Sequence, residues 1–508
     1  TTGLYVPKTL QSLTISSPVS AVADYAFYGC TGLREIAGLT GAVRYGAYAF
    51  AYSGLESVEV PATVTEIGEN AFSGCASLTE IKVAADNAYY ASFDGCLYDV
   101  KQEVLYTVPS AKTTVEFPST VKKIASYAFR ESRVESVDIP ESVEEIGYYA
   151  FYGCNALRHM RVPFIGGSRT ENTYMLYIFG GQCIIETDEE GKETFTFDNT
   201  GAYPALLDSI EYYGTSDIPD FAFTYCGNLK SVDYGDEITR IGKYAFAYTA
   251  LPSLSIGTGV TALGDFAYSY LDELEGEVTI PGTIQEMGEG VLVGSRYVTA
   301  ITFEEGVTEI GNAFMLAYTS VDSATETYYY YSSLEEINIP ASVTKIHPLA
   351  FTYAGYNYNS SLGEQVMSPV RLNIAEGSKL TLIDEAAFAY SGITQLNLPA
   401  GVQEVGVQAF FGCEYLTTVN FGTAEEGSAL SSIGGLAFGY CTSLSEMNIY
   451  KAVESTSDVP VISPYISGGS AINFLYGSSV PAINVKNASL YKSQRYWSEY
   501  AKSIYEME

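Results

Sequence analysis

Histidine is nearly absent from this chain of 508 residues, which carries only His159 and His347. Zinc sites and the Ser-His or Cys-His pairs of nucleophilic catalysis draw on histidine, and neither residue lies in an HExxH sequence. His159 stands in an alternating stretch near Arg158 and Arg161, whereas His347 replaces a turn glycine, so the two belong to different structural positions. GxSxG, Walker and CxxC sequences are missing too, and no catalytic residue, metal ligand or cofactor is nominated. Positive charge is scarce: 26 Lys and Arg stand against 60 Asp and Glu, for a net charge of −34. Without a basic stripe such a surface repels phosphate backbones, which excludes nucleic acid as a partner. No apolar run approaches the roughly 20 residues that span a bilayer, so no membrane insertion is expected in this segment. No signal peptide begins at Thr1, and the missing initiator Met leads us to expect a leader or a longer region upstream.

What the chain has in abundance is an Ala-Phe pair. Alignment on it gives Phe27, Phe50, Phe72, Phe129, Phe151, Phe223, Phe246, Phe314, Phe351, Phe388, Phe410 and Phe438, with degenerate copies at Tyr268 and Leu292. The basal spacing of 22 to 23 residues, broken by insertions, is the mark of a solenoid. One clean copy, Leu55 to Gly74, reads LESVEVPATVTEIGENAFSG. Val58 and Val60 alternate with polar residues, which predicts a strand with one face inward, and Pro61 ends it because proline has no amide to donate. Gly68 is expected to permit a turn, and Ala-Phe to form a short helical or irregular return whose Phe fills the centre of the coil. One such coil cannot stand alone. About six apolar side chains at roughly 1.5 to 3 kcal/mol each do not offset 22 residues ordered at about 1.5 kcal/mol each.

The stretches LESVEVPATVTEIGENAFSGC and VESVDIPESVEEIGYYAFYGC closely resemble the BspA-like leucine-rich repeats, also called the Treponema pallidum type. The resemblance covers almost the whole chain and includes DGCLYD at 94–99 with VLYTVPSAKT after it, like the hairpin insert of these proteins. It implies a right-handed coil with a ladder of short parallel strands on one face, short helical or irregular segments on the other, and β-hairpin insertions. It also implies an exported, extracellular or cell-surface location and an adhesion role, without naming a ligand.

On this reading the array occupies residues 1–449, with insertions at about 84–115, 164–213, 316–333, 354–368 and 423–428, and residues 450–508 form a degenerate last coil and cap. Within the longest insertion, TFTF at 194–197 after DEEGKE predicts a hairpin, and DEEGKE lacks the spacing of a calcium loop. In the tail, Trp497, Tyr500 and Ile504 are expected to share one helical face over the last coil. Six of the eight cysteines (Cys30, Cys75, Cys154, Cys226, Cys413 and Cys441) fall three residues after the motif Phe, where other coils have Ser53 and Thr249. They are expected to be reduced and to act as small buried hydrophobes, with Cys413 and Cys441 the pair best placed for an exception.

The outward strand position, between the two inward ones, is the candidate binding surface. Early coils place Glu59, Lys82, Asp138, Arg161 and Asp233 there, and late coils place Asn338, Asn373, Asn397, Asn420 and Asn448. Two readings of the amide row stay open: a ladder of asparagines bonded to one another, or a platform for glycan or peptide groups. Tyrosine, at 44 residues, recurs two places after the motif Phe at Tyr52, Tyr225, Tyr248, Tyr353, Tyr390 and Tyr440, where sibling coils have glycine. That position is expected at the coil surface, in an interface or packed over turns. The functional expectation is a non-enzymatic, monomeric binding protein for a protein or glycan ligand. The alternatives are a rigid spacer displaying other domains and, more remotely, a hydrolase acting on glycans.

Overall fold

In the computed structural model, which describes residues 9–187, 193–215, 217–322, 327–359, 364–467 and 470–507, the alternation at Val58 and Val60 produces the strand Ser57–Val60. Its two valines are buried and Ser57 and Glu59 are exposed. The next coil repeats the pattern at Glu80–Val83, parallel and in register, so that Val58 faces Ile81 and Glu59 faces Lys82. Two compact units divide the chain, Thr1–Gly235 and Asp236–Glu508. The first carries three such runs: Ser12–Thr14 with Glu35–Ala37, then Ser57–Val60 with Glu80–Val83, then Ser136–Asp138, His159–Val162, Ser209–Tyr212 and Ser231–Tyr234. In the second unit Glu275–Ile280, Tyr297–Phe303, Glu336–Ile339 and Arg371–Ile374 form one run. Gln395–Leu398, Thr418–Phe421, Glu446–Ile449, Ala482–Val485 and Ile504–Glu506 form another.

Apart from the helical turn Leu176–Phe179, the opposite side of the described coils is irregular rather than helical. A second parallel ladder, two or three residues wide, runs through the IG motif; in the second unit it links Glu309–Ile310, Lys345–Ile346, Leu382–Ile383, Glu404–Val405, Ser432–Gly434 and Val461–Ser463. The turn expected at Gly68 forms, the Ala71 amide donating to its carbonyl at 3.3 Å, but what requires glycine there is the close approach of coils: a Cβ on Gly68 would sit 2.4 Å from the amide nitrogen of Ala47 in the preceding coil. The Ala-Phe segments are hydrogen-bonded turns that form a third ladder. The Phe50 amide donates to the Ala71 carbonyl at 2.9 Å, and Phe388 to Ala409 at 2.8 Å. Coils therefore stack by backbone hydrogen bonds on three sides, with the motif rings between them.

Phe50, Phe72, Phe129, Phe151, Phe223, Phe246, Phe314, Phe351, Phe388, Phe410 and Phe438 are all buried, as are Tyr268 and Leu292, while Phe27 in the first described coil is half-buried. Successive rings stack face to face, with centroids 5.4 Å apart for Phe50–Phe72, Phe388–Phe410 and Phe410–Phe438. The slot also has occupants that the Ala-Phe spacing does not reveal, Phe179 among them. Phe179 lies in the segment read as an insertion, at the end of the single helical turn Leu176–Phe179, and packs against Phe151 while the Phe151 amide donates to Ile178. Only then does the chain leave the coil, in the antiparallel hairpin Gln182–Thr187 with Glu193–Asp198. The DEEGK residues 188–192 at its tip lie outside the described residues.

The insert after Glu80–Val83 is the hairpin that the family resemblance implies, Tyr90–Phe93 with Cys96–Asp99. Through Val104–Thr107 it joins the second ladder at Lys123–Ile124. The tail departs from the single helical face expected of it. The helix covers only Ala488–Ser493; Trp497 and Tyr500 lie on a 3-10 turn, and Ile504 opens a strand beside Ala482–Val485. Trp497 is nevertheless buried, against Phe474 and Tyr491, with its indole N–H donated to the Pro460 carbonyl at 2.8 Å.

Candidate functional site

The outward strand residues divide by chemistry as their sequence does. In the second unit the amides bond to one another: Asn373 donates to Asn338 at 2.8 Å, and Asn338 to the Thr302 hydroxyl at 3.1 Å. In the next run Asn420 donates to Asn397 at 2.7 Å, Asn448 to Asn420 at 2.8 Å and Asn484 to Asn448 at 2.7 Å. Asn373 and Asn397, on adjacent coils, have no such bond between them and are exposed. Thr302 and Asn484 are ladder members that the Asn pattern missed, although the alternation in ITF and AINV places both outward.

In the first unit the same position carries charge. Arg161 donates from Nε to Glu211 at 2.7 Å and from Nη1 to Asp138 at 3.2 Å, and its guanidinium lies 3.8 Å from the ring centroid of Tyr213. Glu211 was hidden inside the segment read as an insertion, yet SIEYYG at 209–214 has the alternation of SVDYGD at 231–236. Lys82 pairs with Glu80 at 2.7 Å, and Glu59 and Asp233 are exposed. Between Glu35–Ala37 and Ser57–Val60 no strand pairing forms. The coils part there around a cavity of about 590 Å³ that reaches from Glu59 and Lys82 at the surface, past Ile36 and Val58, to Phe50 in the core. Sequence reasoning placed Glu59 and Lys82 on this face; nothing in the spacing announced the opening beside them.

The tyrosines have a backbone reason for their alternation with glycine. Both the second residue before and the second after the motif Phe adopt positive φ: Tyr48 at 52° and Tyr52 at 58° around Phe50, with Gly74, Gly153 and Gly412 at 67° to 73° in sibling coils. Glycine accepts that conformation without cost, and tyrosine recovers the cost by stacking on the next coil. Tyr25 stacks on Tyr48 at 5.2 Å, Tyr248 on Tyr270 at 4.7 Å and Tyr353 on Tyr390 at 4.8 Å.

The histidines lie in different compact units, His159 bonded to Ser209 at 3.1 Å and His347 to Glu309 at 2.6 Å. Three carboxyl groups are displaced downward: Lys122 holds Glu103 low, Arg371 holds Glu336 low, and Ser455 does the same for Asp458. Cysteines Cys75, Cys154, Cys413 and Cys441 are buried and donate S–H to the carbonyl of a motif Phe, as in Cys75 to Phe50 at 3.0 Å. They are hydrogen-bond donors as well as small hydrophobes. Thr249 fills the slot with a different bond, its hydroxyl donating to the Phe246 carbonyl of its own coil at 2.8 Å, so a hydroxyl in this slot is satisfied without the coil before it. No disulfide joins the eight cysteines, Cys413 and Cys441 included. Among the described residues no cluster of three or more His, Cys, Asp or Glu is placed to hold a metal ion, and no helix is long and apolar enough to cross a membrane.

In-register parallel strands at this period, with Leu, Ile and Val turned inward, define a leucine-rich-repeat protein. More narrowly, the chain belongs to the BspA type leucine rich repeat family, whose model matches residues 4–100, 99–176, 206–319, 319–368 and 371–459 in six copies. Among solved structures it is similar to a leucine-rich repeat protein from Bacteroides ovatus, 20% identical over 86% of each chain with a TM-score of 0.37. It is also similar to a leucine rich cell surface protein from Faecalibacterium prausnitzii, 20% identical over 88% of this chain and 89% of that one, TM-score 0.25. A third is the pneumococcal vaccine antigen PcpA, 17% identical over 66% and 61%, TM-score 0.24. No curated protein matches the chain.

Proposed function

We propose that this protein is a non-enzymatic binding protein, exported to the cell surface or beyond it, that engages a protein or glycan through its strand face. The observation that carries the reading is the cavity between Glu35–Ala37 and Ser57–Val60. A recognition site combines an apolar body with a few fixed polar groups, and here Ile36, Leu39, Phe50 and Val58 form the body while Glu35, Glu59, Lys82 and Asp86 form the rim. Export is inferred from membership of the family. Residues 1–449 then constitute the binding array and 450–508 close it.

The spacer reading is favoured by one observation, the closure of the asparagines on themselves in the second unit. The two readings part on substitution at the cavity. Ser57 points outward and is exposed, so Ser57→Trp fills the opening without burying new surface in the core. On a glycan array and a panel of matrix proteins, Ser57→Trp and Lys82→Glu should weaken saturable attachment by about tenfold or more. Attachment that survives both substitutions, or none by the wild type, overturns the strand-face proposal.

A further inference from the structure

The turn side of the second unit holds a groove of about 410 Å³, walled by Tyr330, Tyr353, Tyr390 and Phe411 and floored by Thr352 and Ala389. Thr352 and Ala389 each follow a motif Phe directly, at Phe351 and Phe388. In the first unit the corresponding residue after Phe129 is Arg130, and it shows what this position does when filled. Its guanidinium lies 5.4 Å from the Tyr127 ring centroid and 5.6 Å from that of Tyr152, donates to the Tyr52 hydroxyl at 3.2 Å and approaches Glu131 at 3.6 Å.

Other arginines of the chain are held in the same way. Arg161 covers Tyr213 at 3.8 Å, and Arg296 lies 5.0 Å from Tyr297 and 5.1 Å from Tyr318. Among the described residues no cation of the chain covers Tyr330, Tyr353, Tyr390 or Phe411. Small side chains at the Arg130 position leave that space open. The groove's aromatic rows continue into Tyr356, 5.6 Å from Tyr353, whose phenol is pushed up by burial and then by the carboxylate of Glu414. The rings are half-buried, with Tyr353 stacked between Tyr330 at 3.7 Å and Tyr390 at 4.8 Å, so the open ring surface is that of Tyr390 and Phe411. An acidic field around half-buried aromatic rings attracts a cation, and the whole chain carries −34.

We propose that this groove receives an arginine side chain from a partner protein, seated as Arg130 is seated in the first unit. Guanidinium suits it better than ammonium because it is planar, weakly hydrated and able to stack while donating to phenol oxygens. The groove belongs to the second unit and the strand-face cavity to the first, so either proposal can fail alone.

The test uses the full chain and a neutral peptide of about ten residues with a central arginine, its citrulline twin and its lysine twin. Fluorescence anisotropy should show the arginine peptide bound at least about tenfold more tightly than the citrulline peptide, with lysine between them. Ala389→Arg supplies an internal occupant and should abolish binding. Tyr390→Gly removes one wall at a position, φ 55°, where sibling coils carry glycine, so it keeps the proposal testable even if Ala389→Arg does not fold. It should weaken the arginine peptide by about fivefold or more. Equal binding of arginine and citrulline, no arginine binding at millimolar peptide, or affinity unmoved by Tyr390→Gly overturns the proposal. So does saturable binding of a neutral glycan in place of the peptide, or self-association of the chain through this groove.

Discussion

At the residue scale the motif's sulfur and phenol groups serve the stacking of coils. Buried Cys75 donates to the Phe50 carbonyl and touches the Ser53 hydroxyl at 3.4 Å, so this thiol, like those of Cys154, Cys413 and Cys441, ties its coil to the one before it. Burial pushes Cys154 and Cys96 up to about 12, and Cys183, half-buried on a hairpin, to about 11. At Cys413 burial is outweighed by hydrogen bonds with Cys441 and Ser391, which bring it below its ordinary value, so that its protection rests on inaccessibility. Because the thiolate is the reactive form, native protein at pH 8 should alkylate very slowly, with Cys183 labelled first and the repeat cysteines only on unfolding. Mass spectrometry of a timed iodoacetamide reaction checks this; rapid labelling of Cys75 or Cys154 in native protein would contradict it. The fixed offset of cysteine from Phe identified the slot. The carbonyl it bonds belongs to another coil and is invisible to any local reading.

At the element scale the asparagine rows act as side-chain ladders parallel to the backbone ladders. Asn420 both donates to Asn397 and accepts from Asn448, so Asn420→Ala removes two bonds. At about 1 kcal/mol for each bond lost, unfolding of the coils around Thr418–Phe421 should become easier by about 2 kcal/mol. The triple variant Asn373→Ser, Asn397→Ser, Asn420→Ser should melt earlier with attachment unchanged. Hydrogen exchange that is unaltered across Gln395–Ile449, or attachment lost in a variant that melts normally, would return these residues to the binding surface. The alternation around each Asn fixed which side it faces. Whether amides spend their hydrogen bonds on each other depends on register between coils 23 to 35 residues apart, which the strand pairing supplies.

For the molecule as a whole, 44 tyrosines and a charge of −34 make alkaline pH the vulnerable side. Burial pushes the phenols of Tyr45, Tyr98 and Tyr491 well above their ordinary value of 10.0. The folded chain keeps those protons while the unfolded chain loses them, so stability falls as pH rises beyond about 10. Added negative charge from exposed phenols acts in the same direction. Urea denaturation at pH 8 and pH 11, followed by far-ultraviolet circular dichroism and absorbance at 295 nm, should show a lower midpoint at pH 11 with phenol ionisation accompanying unfolding. Equal midpoints would mean that the buried phenols ionise without cost to the fold.

The sequence by itself determined the coil: a period of 22 to 23 residues, inward Val and Ile on a strand, and a Phe for the centre, because each of these is a spacing along one chain. It determined the outward residues as well, since alternation assigns sides. What only the tertiary structure decided lies between coils. Gly68 is glycine because Ala47 passes 2.4 Å from its missing Cβ; Phe179 fills a slot without an Ala before it; and Tyr alternates with Gly because both meet a left-handed backbone. The opening beside Glu59 and the groove over Ala389 depend on which neighbouring coils pair and which part. Repetition writes one coil many times over, but the gaps arise where two successive copies differ, and that difference has consequences only once they are stacked.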